Sequence, residues 1–435
     1  MIVIEPREFL TRVFRAGVRA ADPQQAARQA VLTLDDLASS VWMIAVGKGA
    51  HRMASGATEA LRQRKVPIAG GLVVANELDP AATHGLEACA GDHPTPGAGS
   101  LAAADRLAAV AAQTTADADA VVLVSGGATS LIAAPVADIS QDALRETFGA
   151  LLGSGADIGL MNAVRKRLLR FGAGRLALSL GARRIHCLIA SDVIGNDPAS
   201  IASGPCVPDT GSALETRRRL QASRVWDALP PPVRDVLEAM VDGRIEDVPR
   251  ANHPRFGSTS VRIILDRTDA ERGAADEANK HDVTVTVRHE PLEGEASIAG
   301  RRFVSELLAR RDQGRRCTIW SGETTVSLDE SRSAGGRCQE FALAAAIGLE
   351  EAGDKARNLT ILAAGTDGRD GPTDAAGAIV DASTCSSIRS HGVDPRDSLR
   401  QHDSYRALEA AGALLKTGST GTNVNDLVVG YVSAS

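Results

Sequence analysis

Residues 41–50 read Val41-Trp42-Met43-Ile44-Ala45-Val46-Gly47-Lys48-Gly49-Ala50. Apolar side chains run without alternation from Val41 to Val46, and Gly47 stops them. A continuous apolar run bounded by a turn residue marks a strand buried on both faces, as in a parallel sheet. Upstream, Phe9, Leu10, Val13, Phe14 and Val18 recur at helical spacing over 6–19 until Asp22-Pro23 breaks the pattern. A second helix is expected over 24–34. Downstream, strand-like runs recur near 71–75, 121–124, 185–190, 261–265, 283–287, 317–320 and 359–363. Ala-rich helical segments lie between most of them, at 99–113, 142–152, 158–170, 268–280, 293–311 and 337–352. This alternation predicts an α/β fold with parallel sheets covered on both faces.

A chain of 435 residues has room for two such domains. Leu229-Pro230-Pro231-Pro232 and Val248-Pro249-Arg250-Ala251-Asn252-His253-Pro254 are rich in breakers, so the domains are expected at 1–245 and 255–435. The terminal run from Leu427 to Val432 is apolar enough to return to the first domain. Aromatics make up only 3% of the chain, so the core must be built from Ala, Val, Leu and Ile. The net charge of −6 argues against a nucleic-acid or anionic membrane partner. The six cysteines are dispersed, with no pair at zinc-ligand spacing. Reduced thiols in a cytoplasm fit that pattern. No basic region followed by an apolar stretch opens the chain, and no apolar run is long enough to span a bilayer.

In open α/β sheets, ligands sit beyond the carboxyl ends of strands. Lys48, Ser125, Asp192, Glu323 and Asp367 all stand just after apolar runs. Lys48 between Gly47 and Gly49 either forms a plain turn or lays an ammonium beside a phosphate. Ser125-Gly126-Gly127-Ala128-Thr129-Ser130 follows a strand and precedes a helix start, a pattern suited to cradling an anion with N–H groups and hydroxyls. Asp192, in Ser191-Asp192-Val193, can accept a hydroxyl proton or hold a cation, or simply cap. Asp197 lies in the same polar segment. Arg165 and Lys166 lie in a basic helical turn and could reach a carboxylate or phosphate. Arg337 follows Gly335-Gly336, where a planar fork could clamp an oxyanion. Residues 364–377 form a polar loop containing Asp367, Asp370 and Asp374, and a second polar loop runs from Lys416 to Asp426.

Taken together, these segments resemble the type II glycerate kinases, the glycerate 2-kinase family whose C-terminal half is called MOFRL. The resemblance spans roughly 5–435. It rests on Val46-Gly47-Lys48-Gly49-Ala50, His93-Pro94-Thr95-Pro96, Ser125 to Leu131, Asn162-Ala163-Val164-Arg165-Lys166, Ser191-Asp192-Val193 and Ile201-Ala202-Ser203-Gly204-Pro205. It continues through Gly322-Glu323-Thr324-Thr325, Gly335-Gly336-Arg337, Ala364 to Gly368, Gly371 to Gly377 and Gly421 to Asp426. The chain departs from the family pattern at Ile194, Asn196 and Cys338, where Pro, Asp and Asn are usual, and across 257–268.

The resemblance implies two α/β domains, the first a Rossmann-like doubly wound parallel sheet, with the active site in the interdomain cleft. It implies transfer of a phosphoryl group from ATP, with Mg²⁺, to the 2-hydroxyl of D-glycerate. Lys48, Asp192 and Arg337 would be catalytic. Gly47, Gly49, Ser125, Gly126, Gly127, Thr129 and Ser130 would hold the nucleotide. Arg165, Lys166, Glu323, Asp367 and Asp374 would bind substrate, and Asp192 with Asp197 would bind metal. A homodimer is a further expectation. The competing readings are a hydroxypyruvate reductase using NAD(P)H, for which no dinucleotide fingerprint is present, and a non-catalytic hydroxy-acid binding protein.

Overall fold

The structure is a computed structural model and describes residues 5–79, 82–327 and 334–433. The chain divides into two compact units, Pro23–Ile264 and a split unit made of the residues up to Asp22 with those from Leu265 onward.

The Pro23–Ile264 unit is built on strands β1 (Val41–Val46), β2 (Ile68–Ala75), β3 (Glu87–Ala90), β4 (Asp119–Val124), β5 (Ile185–Ala190) and β6 (Thr259–Leu265). Their order in the sheet is β3-β2-β1-β4-β5-β6, the order of a doubly wound dinucleotide-type fold. All pairings from β3 to β5 are parallel. The reason is in the sequence: β4 and β5 are buried at every position and β1 at all but Trp42, so both faces need cover. The chain runs outward from β1 to β2 and β3, then returns to β1's other side as β4. That reversal makes the β1–β4 boundary the switch point, where Val46 lies beside Val124. Four helices, Gln141–Gly153, Ile158–Leu168, Ala213–Ala222 and Pro231–Val241, enclose a separate core around Leu144, Val164, Leu220 and Leu237.

The expected boundary near 245–255 differs from the observed one. Pro230 caps helix Pro231–Val241, and prolines at a helix start cost nothing because those N–H groups have no partner in the helix. The breaker-rich stretch therefore begins a helix of the first unit.

The split unit carries β7 (Thr284–Val287), β8 (Arg316–Gly322), β9 (Leu359–Gly365), β10 (Gly377–Asp381), β11 (Leu414–Leu415) and β12 (Asp426–Val432), in the order β11-β10-β9-β12-β8-β7. This sheet is mixed, which corrects the expectation of parallel sheets throughout. Only β7 with β8 pairs parallel; β12 is antiparallel to both β8 and β9. Loop 366–376, between β9 and β10, contains no helix, and a short connection permits only antiparallel return. The last strand does not return to the first sheet but lies in the middle of the second.

Side chains of β12 alternate between two cores. Val428 and Val432 face helices Ala296–Ala309 and Arg337–Ala352. Leu427, Val429 and Tyr431 face helix Pro6–Ala20 through Phe9, Leu10, Val13 and Phe14. The rings of Phe9 and Tyr431 lie 4.6 Å apart. The first helix thus belongs to the split unit, not to the domain that follows it in sequence.

Phe14 is fully buried. Phe14→Ala is expected to cost about 3–5 kcal/mol. In hydrogen exchange, protection should fall in β9 and β12 while β1 and β4 keep theirs. Loss confined to β1 and β4 would restore the contiguous division.

Candidate functional site

The switch point gathers three loops of the Pro23–Ile264 unit. Ser125 N donates to Val46 O at 3.0 Å, and Lys48 N donates to Gly126 O at 2.9 Å. Gly49 N donates to Ser125 Oγ at 2.9 Å. The loop after β1 and the loop after β4 are therefore tied by backbone and hydroxyl. Glycine is required at two places. A Cβ on Gly47, whose φ is +131°, would sit 2.2 Å from Ser125 Oγ. A Cβ on Gly126 would sit 2.1 Å from Asp192 Oδ2. The carboxylate that follows β5 is thus packed on the backbone of the loop that follows β4. His93 joins them: its ring lies 2.9 Å from where a Cβ on Gly127 would be, with Lys48 Cγ at 3.4 Å from the same point. Burial, and then the Lys48 charge, lower the His93 pKa. A neutral ring beside the lysine follows, so His93 adds no competing cation. Lys48 itself is exposed, and Thr129 Oγ1 lies 3.3 Å from Ser203 Oγ.

Other expected residues of this unit are used differently. Asp197 accepts from Ala199 N at 3.1 Å and from Ser200 Oγ at 2.6 Å, so its carboxylate closes its own turn. Among the described residues no group of three or more His, Cys, Asp or Glu is placed to hold a metal. Lys166 is buried in an ion pair with Asp209 at 2.9 Å. Arg167 is wholly buried beside Asp209 and Asp247. Arg165 is half-buried with its guanidinium 5.4 Å above the Phe148 ring.

A second constellation lies in the split unit. Arg337 opens the 16-residue helix Arg337–Ala352. Its Nε donates to Asp426 Oδ2 at 2.6 Å and one terminal nitrogen donates to Asp426 Oδ1 at 3.1 Å. The other terminal nitrogen bonds Glu323. Asn425 Nδ2 donates to the second oxygen of Glu323 at 3.1 Å. Asp426 begins β12 directly between Gly322, the end of β8, and Gly365, the end of β9. Burial is the largest single influence and works to lower the Arg337 pKa, but the Asp426 and Glu323 carboxylates together outweigh it, so it is held well above its ordinary value.

Behind this pair, Asp370 accepts from Cys338 N at 3.1 Å and Gln339 N at 2.8 Å at the start of the helix. Burial, then the nearby Asp426 charge, push the Asp370 carboxyl up to about 7. Burial raises the Cys338 pKa well above that of an ordinary thiol, so it stays protonated. Asp367 is half-buried and accepts from Arg369 N at 3.0 Å. Asp374 is exposed and occupied by Tyr405 at 2.8 Å and Lys416 at 3.0 Å.

Sequence reasoning assigned no role to Asp426, Asp370 or His93. Asp426 had a usable signal, an acid standing at the mouth of an apolar strand. Asp370 had none beyond its polar loop.

Residues 9–238 match the family described as "Domain of unknown function (DUF4147)", and residues 316–426 match "MOFRL family". The glycerate 2-kinase of Pyrococcus horikoshii is 32% identical over 100% of this chain and 99% of its own. The D-glycerate 2-kinase of Thermotoga maritima is 31% identical over 98% of each. The crystal structure of glycerate kinase from Thermotoga maritima superposes with a TM-score of 0.85 over 98% of this chain and 99% of that one.

The raised Asp370 pKa makes stability depend on pH. The folded state holds this proton more tightly than an unfolded chain, whose Asp titrates near about 4. The group's contribution is full below that value and is lost as pH rises through about 7. Asp370→Asn should remove this decline. Urea unfolding from about pH 5 to about 7.5 should show wild type losing on the order of 1–3 kcal/mol more than the variant. Parallel curves would refute the assignment.

Proposed function

The chain belongs to the glycerate 2-kinase family, and from that footing we propose that it transfers the γ-phosphoryl group of ATP to the 2-hydroxyl of D-glycerate, giving 2-phosphoglycerate and ADP. The observation that carries this is the hydrogen-bonded union of the two switch-point loops, with Lys48 above and Asp192 packed against Gly126.

Phosphoryl transfer asks a protein chiefly for positioning and charge neutralisation. The Ser125 to Ser130 loop offers its Gly126-Gly127 backbone and its hydroxyls to nucleotide phosphates, while the Gly47-Lys48-Gly49 turn, whose N–H groups bond Val74 O, Gly126 O and Ser125 Oγ, lets phosphate oxygens approach closely and carries the lysine. Thr129 and Ser130 are half-buried at its far end. Lys48 brings a mobile ammonium to the γ-phosphoryl, where negative charge must be spread. The glycerate 2-hydroxyl attacks phosphorus as the bond to the β-phosphate oxygen breaks. Asp192 orients that hydroxyl and receives its proton. Mg²⁺ typically binds through one or two carboxylates plus substrate phosphates, a role that Asp192 suits, and when bound it neutralises phosphate charge. Arg337 offers a planar fork suited to a carboxylate or a phosphoryl group, and Arg165 is the cation that the Pro23–Ile264 unit offers an anionic ligand. Asp367 is the acceptor for a glycerate hydroxyl.

A reductase reading needs a glycine-rich dinucleotide turn after β1. Here Gly47-Lys48-Gly49-Ala50-His51-Arg52 offers no third glycine until Gly56.

A coupled ADP-release assay with D-glycerate, ATP and Mg²⁺, followed by phosphorus NMR of the product, tests the reaction. The expected product is 2-phosphoglycerate; turnover with NADPH and hydroxypyruvate instead would overturn it. Lys48→Ala should lower kcat on the order of 10²-fold or more, as loss of one charge-stabilising donor does. Arg337→Lys should also be damaging, because an ammonium cannot replace a two-pronged fork. Wild-type kcat in the first or unchanged kcat/KM in the second would sink the corresponding role.

A further inference from the structure

Arg337 has two unlike edges. One, formed by Nε and a terminal nitrogen, is engaged end-on by both oxygens of Asp426, which is 2% exposed. The other terminal nitrogen meets Glu323, whose side chain is 42% exposed. The two acids differ in burial for a structural reason. Asp426 lies in a strand hydrogen-bonded on both sides, with Gly322 and Gly365 as its neighbours. Glu323 stands one residue beyond the end of β8, half-buried, with its second oxygen held by Asn425 Nδ2.

A guanidinium gripped by two parallel N–H···O bonds has its plane fixed, because rotation would break one of them. An arginine without such a grip carries rotamer freedom that must be lost each time it clamps a ligand. Asp426 has removed that freedom beforehand. The same buried carboxylate is sealed from solvent, so it does not itself contact a substrate.

We propose that Asp426 is a positioning residue for phosphoryl transfer: it pre-sets the plane of Arg337 and leaves the Glu323 side of the fork to exchange for the anionic ligand. This rests on the reading of Arg337 as the clamp.

The test is a double-mutant cycle read by kcat/KM for glycerate, with the KM for ATP and thermal unfolding followed alongside. Arg337→Ala is expected to lower kcat/KM by roughly 10²-fold or more. Asp426→Asn is expected to lower it by roughly 10-fold or more, with the KM for ATP unchanged. Because Asp426 acts only through Arg337, adding Asp426→Asn to Arg337→Ala should change kcat/KM by less than about 3-fold. Losses that multiply in the double variant overturn the positioning role while leaving the clamp intact. Wild-type kcat/KM in Arg337→Ala strikes the clamp itself. If Asp426→Asn does not fold, Asp426→Glu keeps the charge and moves it by one methylene. A several-fold loss of kcat/KM at unchanged ATP KM is then expected, and wild-type kinetics would overturn the proposal.

Discussion

The split unit is organised around the ion pair between Arg337 and Asp426. Asp426 is 2% exposed, and a carboxylate so placed needs a permanent cationic partner. Stranding either member of a buried pair typically costs about 3–5 kcal/mol. Holding the pair together requires the last strand to enter the sheet between β8 and β9, since only that register brings Asp426 level with Gly322 and Gly365. Entry of β12 in turn produces two apolar faces. One is covered by helices Ala296–Ala309 and Arg337–Ala352, the other by Pro6–Ala20. A polar contact at the strand's mouth and apolar contacts along its length are therefore satisfied by one placement.

The Pro23–Ile264 unit solves a different problem with different means. Its sheet is a doubly wound one, and at the switch point it must arrange the polar ends of adjacent parallel strands. Removing side chains at Gly47 and Gly126 lets Ser125 and Asp192 pack onto backbone, so three loops are locked with few side-chain contacts. In one unit glycine makes room for the polar groups; in the other a charge pair fixes them.

Much of this was legible in the residues. Unbroken apolar runs such as Val41–Val46 and Val121–Val124 have one reading in an α/β chain, and both lie in β-strands. Helix Pro6–Ala20 could be drawn from spacing alone. Its destination could not, because periodicity reveals an apolar face but not the surface that covers it. The prolines at 230–232 were ambiguous for a physical reason: the residue that breaks a helix interior also opens a helix well. The phosphate-type loops were visible through small residues after strands. The engagement of Lys166 by Asp209, of Asp197 by its own turn and of Asp374 by Tyr405 and Lys416 was not. Charge in a sequence carries no record of its partner, and Asp426, separated from Arg337 by 89 positions, is the clearest case.

The central place of β12 also bears on how the chain is made. Proteins emerge from the ribosome from the N-terminal end at about 5–20 residues per second, and domains fold as they become complete. The Pro23–Ile264 unit is contiguous and can close while synthesis continues. The helix Pro6–Ala20 precedes that unit in the chain, but the surfaces it covers, helix Arg267–Ala278 and strands β8, β9 and β12, all follow the unit. Until those elements emerge, its Phe9, Leu10, Val13 and Phe14 lack the core they pack in. The nascent chain therefore carries an unshielded apolar helix ahead of a finished domain, a natural substrate for a holding chaperone.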